Sequence, residues 1–326
     1  MKYRLFGKTG LNISEVVIGG GYVGGILIDP VNEIKREALR RALAAGVNWI
    51  DTAPTYGNGQ SETNLGWLLP ELKKEQQPYL STKVRLDPSK LNDIPGQVEA
   101  SIYASLKKLN RQSVDLLQLH NMISTEVTDR AVTLGHALQA ADCFDLLREQ
   151  GLIKFIGYTA LGDGACCIAA ANSGRFDSAQ VYYNLINPSA SWSKKRGWDA
   201  YDFSGLMAAC ETNSVAIMNI RVFAAGVIVT ETRHGRELQV TGSDIPSEEA
   251  LTRRVMNKLD LEANGQTPYG TRSQTAIRFA LSEKRLACSI VGVAELMHLD
   301  QAIAAPDMGP LPSKILTTLE NLYSAK

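Results

Sequence analysis

The sequence predicts a single barrel of eight parallel β-strands, each followed by an α-helix: the (β/α)8 or TIM-barrel fold. Short apolar or β-branched runs alternate with longer helical patterns almost from one end of the chain to the other. Strict alternation of this kind indicates a parallel sheet, and eight strands close into a barrel. The length of 326 residues suits one barrel, and no stretch resembles an interdomain linker, so we expect residues 1–326 to form one domain.

Eight runs predict the strands, and helical spacing predicts the segments between them. The runs cover residues 16–18, 47–50, 79–82, 114–119, 155–158, 178–182, 215–220 and 287–291. In the first helix, which Pro30 and Gly46 delimit, the apolar residues share one face: Ile34, Ala38, Leu39, Ala42 and Leu43. Further helices are predicted over about 61–69, 95–109, a long segment ending near 150, 168–173, 204–213, 248–261, 272–282 and 296–304.

The two ends of the chain fall outside this repeat. Residues 1–15 fit a short hairpin that turns at residues 8–10, and we expect it to close the N-terminal face of the barrel. Residues 312–323 predict one further helix after the eighth unit.

Composition argues against several classes of function. Lys plus Arg equals Asp plus Glu at 34 each, without long runs of one sign, so we expect no nucleic-acid or membrane partner. No stretch approaches the about 20 apolar residues that span a bilayer, and the first residues lack an apolar signal core. The five cysteines form no CxxC pair and no metal-ligand spacing with His, so we predict a cytoplasmic protein without disulfides or a metal site. The oligomeric state is left open.

Four ionisable residues follow neighbouring strands, at the end where the active sites of such barrels lie. Asp51 follows the second run, Lys83 the third and His120 the fourth. Tyr56 lies on the loop after the second run. Each residue alone has an ordinary explanation, as a turn cap, a solvated lysine, a core histidine or a surface aromatic. Their occurrence together on adjacent strands predicts a shared catalytic pocket.

These side chains suit proton transfer to or from a substrate oxygen. Tyrosine has an ordinary pKa of about 10, and we expect the neighbouring Lys83 to lower it. We expect Asp51 to hold Lys83, and His120 to orient the substrate oxygen as a neutral imidazole. Tyr56 then acts as general acid or general base. No side chain supplies a hydride, so oxidation or reduction requires a cofactor.

Four separate segments resemble the signature stretches of the aldo-keto reductase superfamily. They are GVNWIDTAPTYGNGQSETNLG at 46–66, STKV at 81–84, DLLQLH at 115–120 and GRFDSAQVYYNLINP at 174–188. The resemblance runs through the whole chain and implies an oxidoreductase with Asp51, Tyr56, Lys83 and His120 as its catalytic tetrad. It also implies NAD or NADP as cofactor and a small carbonyl compound, alcohol or sugar as substrate.

The same resemblance implies which positions contact the cofactor. They are Gly20, Gly21, Asp51, Thr159, Gln180, Ile220, Arg221, Phe223, Gly226, Gly292 and His298. Ala160 replaces a residue whose amide contacts the nicotinamide, and Ile220 replaces an aromatic residue. Gly292 and His298 stand where many members carry a Lys and an Arg that bind the 2′-phosphate of NADP, with Glu295 between them. Because a carboxylate repels that phosphate, we expect NAD to be accepted or preferred.

The substrate is left open between aldehydes, ketones and sugars, including the oxidation of an aldose to a lactone with NAD. The predicted substrate contacts are Tyr22 and Val23 in the first loop, together with Tyr56 and His120.

Two alternatives are weighed against this interpretation. Residues 19–24 read GGGYVG, which formally matches the GxGxxG of dinucleotide-binding Rossmann domains. That interpretation requires a helix to begin at once, whereas residues 25–30 intervene, and it leaves three members of the tetrad unexplained. The other alternative is a regulatory protein that binds the cofactor without turnover.

Overall fold

The computed structural model describes residues 1–21, 23–192, 200–232, 244–262 and 265–323, and it forms the predicted (β/α)8 barrel. Its strands are β1 (Tyr3–Leu5), β2 (Asn12–Ser14), β3 (Val16–Gly19), β4 (Trp49–Asp51), β5 (Tyr79–Val84), β6 (Val114–Leu119), β7 (Met122–Ser124), β8 (Ala131–Thr133), β9 (Ile153–Ala160), β10 (Ser178–Tyr182), β11 (Ala216–Ile220), β12 (Gln266–Thr267), β13 (Gly270–Thr271) and β14 (Leu286–Val291). Its helices are α1 (Asn32–Ala44), α2 (Gln60–Leu68), α3 (Ile94–Leu109), α4 (Leu134–Glu149), α5 (Gly164–Asn172), α6 (Leu206–Thr212), α7 (Ile245–Lys258), α8 (Arg272–Ser282), α9 (Leu296–Ala304) and α10 (Ser313–Tyr323).

The barrel closes through eight parallel strand pairs in the order β3, β4, β5, β6, β9, β10, β11 and β14. Closure comes from the pairing of β14 with β3, in which Ser289 lies opposite Val16 and Val291 lies opposite Ile18. All eight strands therefore point the same way, and their C-terminal ends form one rim of the barrel.

Alternation along the strands divides the apolar residues into two cores. Val17, Trp49 and Leu116 face the barrel interior and belong to a small inner cluster. Their neighbours Ile18 and Ile50 face the surrounding helices and belong to the larger outer cluster. Successive side chains of a strand point to opposite faces, so each strand supplies both cores.

The N-terminal hairpin plugs the barrel as the sequence predicted. Strands β1 and β2 pair antiparallel, and Phe6 and Ile13 are fully buried in the inner cluster. The backbone N–H of Lys8 donates to the carbonyl of Ser214 at 3.1 Å, just before β11 begins. The guanidinium of Arg4 fastens the hairpin by donating to the carbonyls of Leu281, Glu283 and Leu286. The plug therefore lies at the end of the barrel opposite the rim.

Other elements differ in detail from the predicted pattern. Helix α5 begins at Gly164, before the predicted residue 168, because the side chain of Asp163 accepts from the backbone N–H of Ala165 and of Cys166. The parallel strands β7 and β8, which the sequence did not predict, lie in the connection after β6. Helix α10 packs Leu319 against the outer cluster, as the predicted extra helix should. None of the described helices is long and apolar enough to cross a membrane.

Candidate active site

A cleft of about 1890 Å³ opens at the C-terminal rim of the barrel. Three of the four predicted catalytic residues line it: Asp51, Tyr56 and His120. The same cleft extends to Gly292 and His298, which follow β14. It therefore joins the predicted catalytic residues to the predicted cofactor positions.

The strands bring the predicted tetrad together. Asp51 is the last residue of β4, Lys83 lies near the end of β5, and His120 follows β6. The backbone N–H of His120 donates to the carbonyl of Val84 at 2.7 Å, which fixes the histidine beside the end of β5. Tyr56 lies in a turn after β4, where its backbone N–H donates to the carbonyl of Ala53 at 3.1 Å.

Lys83 lies at the centre of this group and is completely buried. Its Nζ donates to Asp51 Oδ2 at 2.5 Å and to the carbonyl oxygen of Thr52 at 2.8 Å. The same Nζ lies 4.8 Å from the centre of the Tyr56 ring. A buried ammonium needs such partners because removal from water disfavours its charge strongly. Lys83 is thus held between one carboxylate and one phenol.

The second oxygen of Asp51 is held by neutral donors. Asp51 Oδ1 accepts from Ser81 Oγ at 2.7 Å, from Gln180 Nε2 at 2.8 Å and from Gln118 Nε2 at 3.3 Å. Ser81 in turn accepts from the indole Nε1 of Trp49 at 3.0 Å. The carboxylate at the end of β4 is therefore fixed by side-chain donors from β5, β6 and β10 at once.

The pKa of Tyr56 moves in the direction opposite to the one expected from the sequence. Burial raises the pKa of the phenol above its ordinary value, and the positive charge of Lys83 opposes that rise without reversing it. The expectation of a lowered pKa was therefore wrong, because desolvation of the phenolate outweighs the neighbouring ammonium. For Lys83, burial acts to lower the pKa, but Asp51 and Tyr56 outweigh it, so the pKa is raised and the ammonium stays charged.

His120 is held neutral, as expected. Burial first, and then three nearby cations, keep its pKa well below its ordinary value. The cations are Lys83, Arg85 and Arg221. The rings of His120 and Tyr56 meet edge to face, with 5.8 Å between their centres. The Nδ1 atom of His120 is buried without a hydrogen-bond partner among the described residues.

The structure places most of the predicted cofactor positions on the wall of the cleft. The lining includes Gly21, Asp51, Thr159, Gln180, Ile220, Arg221, Phe223, Gly226, Gly292 and His298. Gly20 does not line it: a Cβ there would lie 2.3 Å from Ser61 Oγ, so this glycine permits close packing behind the cleft. Of the predicted substrate contacts beyond the tetrad, Val23 lines the cleft and Tyr22 lies outside the described residues.

The cleft has features that fit a dinucleotide. The hydroxyl of Thr159 lines it, is buried, and has no hydrogen-bond partner among the described residues, so it can bond to a ligand amide. The volume exceeds the about 300–1,000 Å³ of a pocket for a single drug-sized molecule. A Cβ on Gly24 would lie 2.4 Å from the backbone nitrogen of Val293, so only glycine lets the first loop meet the segment after β14. The first loop and the segment after β14 therefore form one continuous wall of the cleft.

The segment after β11 is held in an uncommon backbone conformation. Arg221, Ala224 and Ala225 have φ values of 60°, 47° and 56°, in the left-handed region that favours glycine. Each costs about 1–2 kcal/mol, which surrounding contacts must offset. The side-chain amide of Asn184 donates to the carbonyl of Arg221 at 2.9 Å and is one such contact. Because Arg221 and Ala225 line the cleft, this strained backbone shapes its wall.

Sequence reasoning missed the residues that support the tetrad. Trp49 and Ser81 each lie two residues before a catalytic residue on the same strand, and Gln118 lies two residues before His120. A period of two marks residues on one face of a strand, so this spacing was a usable signal. Among the described residues, no group of three or more His, Cys, Asp or Glu is placed to hold a metal ion.

Comparison with known proteins identifies the family of this chain. The sequence profile of the Aldo/keto reductase family matches residues 16–324. The chain belongs to this family. Its members are NAD(P)-dependent oxidoreductases.

Two curated relatives and one solved structure illustrate the similarity. The chain is 35% identical to aldo-keto reductase YhdN of Bacillus subtilis over 126 residues, which span 37% of this chain and 38% of that relative. It is 25% identical to D-threo-aldose 1-dehydrogenase of a Pseudomonas species over 319 residues, 90% of this chain and 89% of that one. The holo form of aldo-keto reductase AKR11C1 from Bacillus halodurans superimposes with a TM-score of 0.70 at 18% identity, covering 100% of this chain and 97% of that one. This last likeness supports the fold.

Proposed function

We propose that this member of the family is an NAD(P)-dependent oxidoreductase that interconverts a small carbonyl compound and its alcohol, with Tyr56 as general acid and base. The observation that carries the proposal is the position of Lys83. Its ammonium is bound to Asp51 and lies against the Tyr56 ring, at the base of a cleft large enough for a dinucleotide. A charged ammonium beside a phenol favours release of the phenolic proton.

The side chains divide the work in carbonyl reduction. Tyr56 donates its proton to the carbonyl oxygen as that oxygen becomes an alkoxide, and Lys83 stabilises the phenolate that remains. His120 is neutral, so it can donate one N–H to the same oxygen and orient it. A nicotinamide cofactor held in the cleft would supply the hydride in reduction and accept it in alcohol oxidation. In oxidation Tyr56 starts as the phenolate and accepts the hydroxyl proton.

Several cleft residues would hold the cofactor. Thr159 would bond to the nicotinamide amide, and Arg221 would lie near the diphosphate. Gln180 also lines the cleft, but its Nε2 already donates to Asp51, which leaves its oxygen for the cofactor. Glu295 and His298 line the far end, where a 2′-phosphate would meet a carboxylate instead of two cations. This supports acceptance of, or preference for, NAD.

The substrate class in this proposal is a small aldehyde, ketone or sugar. The name of the Pseudomonas relative, D-threo-aldose 1-dehydrogenase, supports an aldose that is oxidised at its anomeric carbon. Thr55, Asn58 and Met122 join Val23 near the catalytic residues and would surround such a substrate. The cytoplasmic location stays a prediction, and the oligomeric state stays open.

A screen of aldoses and simple aldehydes with NAD+, NADP+, NADH and NADPH tests the proposal. We expect turnover of at least one pair by the wild type, and its loss in Tyr56→Phe without loss of cofactor binding. If the wild type binds cofactor but turns over no better than Tyr56→Phe, the chain is a cofactor-binding protein without catalysis and the proposal is wrong.

A further inference from the structure

A line of buried hydrogen bonds runs from the inner core of the barrel to the tetrad. It begins at the indole of Trp49, passes through the hydroxyl of Ser81 and ends on Asp51 Oδ1, with distances of 3.0 Å and 2.7 Å. Trp49 and Ser81 are completely buried, and Asp51 is 2% exposed. Both bonds are therefore shielded from solvent in the folded protein.

The donors and acceptors of this line permit one orientation of the serine hydroxyl. The indole N–H can only donate, so Ser81 Oγ must accept from it. The single hydroxyl proton of Ser81 then remains for an acceptor. Asp51 Oδ1 lies at 2.7 Å, whereas the next acceptor, the carbonyl of Ile50, lies at 3.5 Å. The proton therefore points at the carboxylate.

The indole of Trp49 packs against two aromatic rings. The ring of Phe6, in the N-terminal hairpin, lies 5.0 Å from Trp49 between centres, and the ring of Tyr79 lies 5.5 Å away. Trp49 thus has a fixed donor direction, and the plug at the bottom of the barrel contributes to it. Aromatic pairs at these separations contribute about 0.5–1.5 kcal/mol beyond the area that they bury.

We propose that Trp49 and Ser81 are positioning residues of the reaction: they hold the Asp51 carboxylate so that Lys83 remains available to stabilise the ionised Tyr56. The inference rests on the proposed function, because it assigns these two residues to the same proton transfer. Neither residue reaches the substrate. Both act through Asp51.

The direction of the effect follows from the charges. When the Ser81 donor is removed, the negative charge of Asp51 is shared with fewer neutral partners and draws more strongly on Lys83. The negative potential that Asp51 produces at the Tyr56 phenol is also less well compensated by hydrogen-bond donors. Both changes destabilise the phenolate, so the pKa of Tyr56 should rise further. Loss of the indole N–H should act in the same direction but less, because Ser81 keeps its proton and only its orientation is weakened.

Spectroscopic titration of the cofactor-free protein measures the pKa of Tyr56 without any need for turnover. The ultraviolet difference between each protein and its Tyr56→Phe counterpart isolates the ionisation of Tyr56 from that of the other tyrosines. We expect Ser81→Ala to raise the pKa of Tyr56 by about half a unit or more, equivalent to about a threefold loss of phenolate at fixed pH. We expect Ser81→Thr, which keeps the hydroxyl, to restore most of the wild-type value.

A double-mutant cycle tests whether Trp49 acts through Ser81. Trp49→Phe should raise the pKa of Tyr56 in the wild type and leave it unchanged in the Ser81→Ala background. Trp67→Phe is the matched control, since that indole bonds to Asn64 on α2, away from the tetrad. Alcohol oxidation needs the phenolate, so in active protein the pH profile of kcat should shift upward with the same ranking, and KM should change little.

The outcomes separate this inference from the proposed function. If Ser81→Ala leaves the pKa of Tyr56 unchanged or lowers it, or if Trp49→Phe has the same effect in both backgrounds, the positioning role is overturned. Lower thermal stability alone, with an unchanged titration, also overturns it, because the residues are then only structural. If the wild type turns over no substrate yet the titration shifts as described, the proposed function fails and the hydrogen-bonded line stands.

Discussion

The two ends of the cleft are built in different ways. At the catalytic end, Asp51 and Lys83 lie within strands, are buried, and have hydrogen-bond partners from four strands. At the far end, Glu295 and His298 follow β14 and lie in or just before α9, while the segment after β11 follows a strained path. Strand ends fix side chains through the barrel itself, whereas the far end depends on connections that can vary without loss of the fold. The barrel therefore fixes the geometry of the catalytic end, and the far end is the part of the cleft that loop changes can alter.

The largest effect is expected from Tyr56→Phe, which changes the catalytic end alone. Loss of the phenolic proton should lower kcat by about 10²–10⁴-fold, the usual contribution of a general acid or base. Binding of NADH, followed by its fluorescence, should stay within about twofold of wild type, because the ring that borders Gly21 remains in place. Equal losses of binding and turnover would contradict the separation of the two ends.

The next effect concerns the buried pair at the catalytic end. Lys83→Met leaves the Asp51 carboxylate buried without its counter-ion and should lower the free energy of unfolding by about 3–5 kcal/mol. The double variant Asp51→Asn with Lys83→Met removes both charges and should recover much of that loss in urea unfolding. Both variants lose the ammonium beside the phenol, so the pKa of Tyr56 should rise and alcohol oxidation should require higher pH. A profile unchanged in the double variant would contradict the role of Lys83.

A change at the far end should alter cofactor choice with little effect on chemistry. The wild type should not prefer NADPH over NADH by a hundredfold in KM. Glu295→Gln combined with His298→Arg removes a repelling carboxylate and adds a cation, and should tighten NADPH binding about tenfold relative to NADH. Glu126→Gln, an exposed acidic residue that does not line the cleft, is the charge control. An equal gain in affinity for both cofactors would show that residues 295 and 298 do not contact the 2′-phosphate.

The smallest effect tests the contact between the first loop and the far end. Gly24→Ala places a Cβ against the backbone of Gly292 and Val293 and should lower the free energy of unfolding by about 1–3 kcal/mol. NADH binding should weaken with it. Gly135→Ala, in the first turn of α4, meets nothing closer than 3.7 Å and should be stabilising by about 0.4–1 kcal/mol. If Gly24→Ala behaves like this control, the two loops do not constrain each other.

The sequence revealed the parts of the site that strand periodicity determines. The eight runs located the barrel, and the position of Asp51, Lys83 and His120 after successive runs located the rim. The direction of the Tyr56 pKa could not be read in the same way, because it depends on how far burial outweighs one ammonium. The hydrogen-bond donors to Asp51 could not be predicted from the sequence either, because one of them, Gln180, lies 129 residues away along the chain. Such contacts depend on the closed barrel and not on local pattern.

The hairpin that plugs the barrel has a consequence for how the chain reaches its native state. Arg4 donates to carbonyl groups that lie 277 to 282 residues further along the chain. Strand β3 likewise cannot form its pair with β14 until the end of the chain has been synthesised. At a synthesis rate of about 5–20 residues per second, those partners emerge on the order of 15 to 55 seconds later. Phe6 and Ile13 cannot complete their burial during that time, because their inner cluster includes Ala287, Cys288 and Ile290 of β14. Contacts between such distant residues also make folding slow, so the nascent chain presents apolar surface that chaperones would shield until the ring of strands closes.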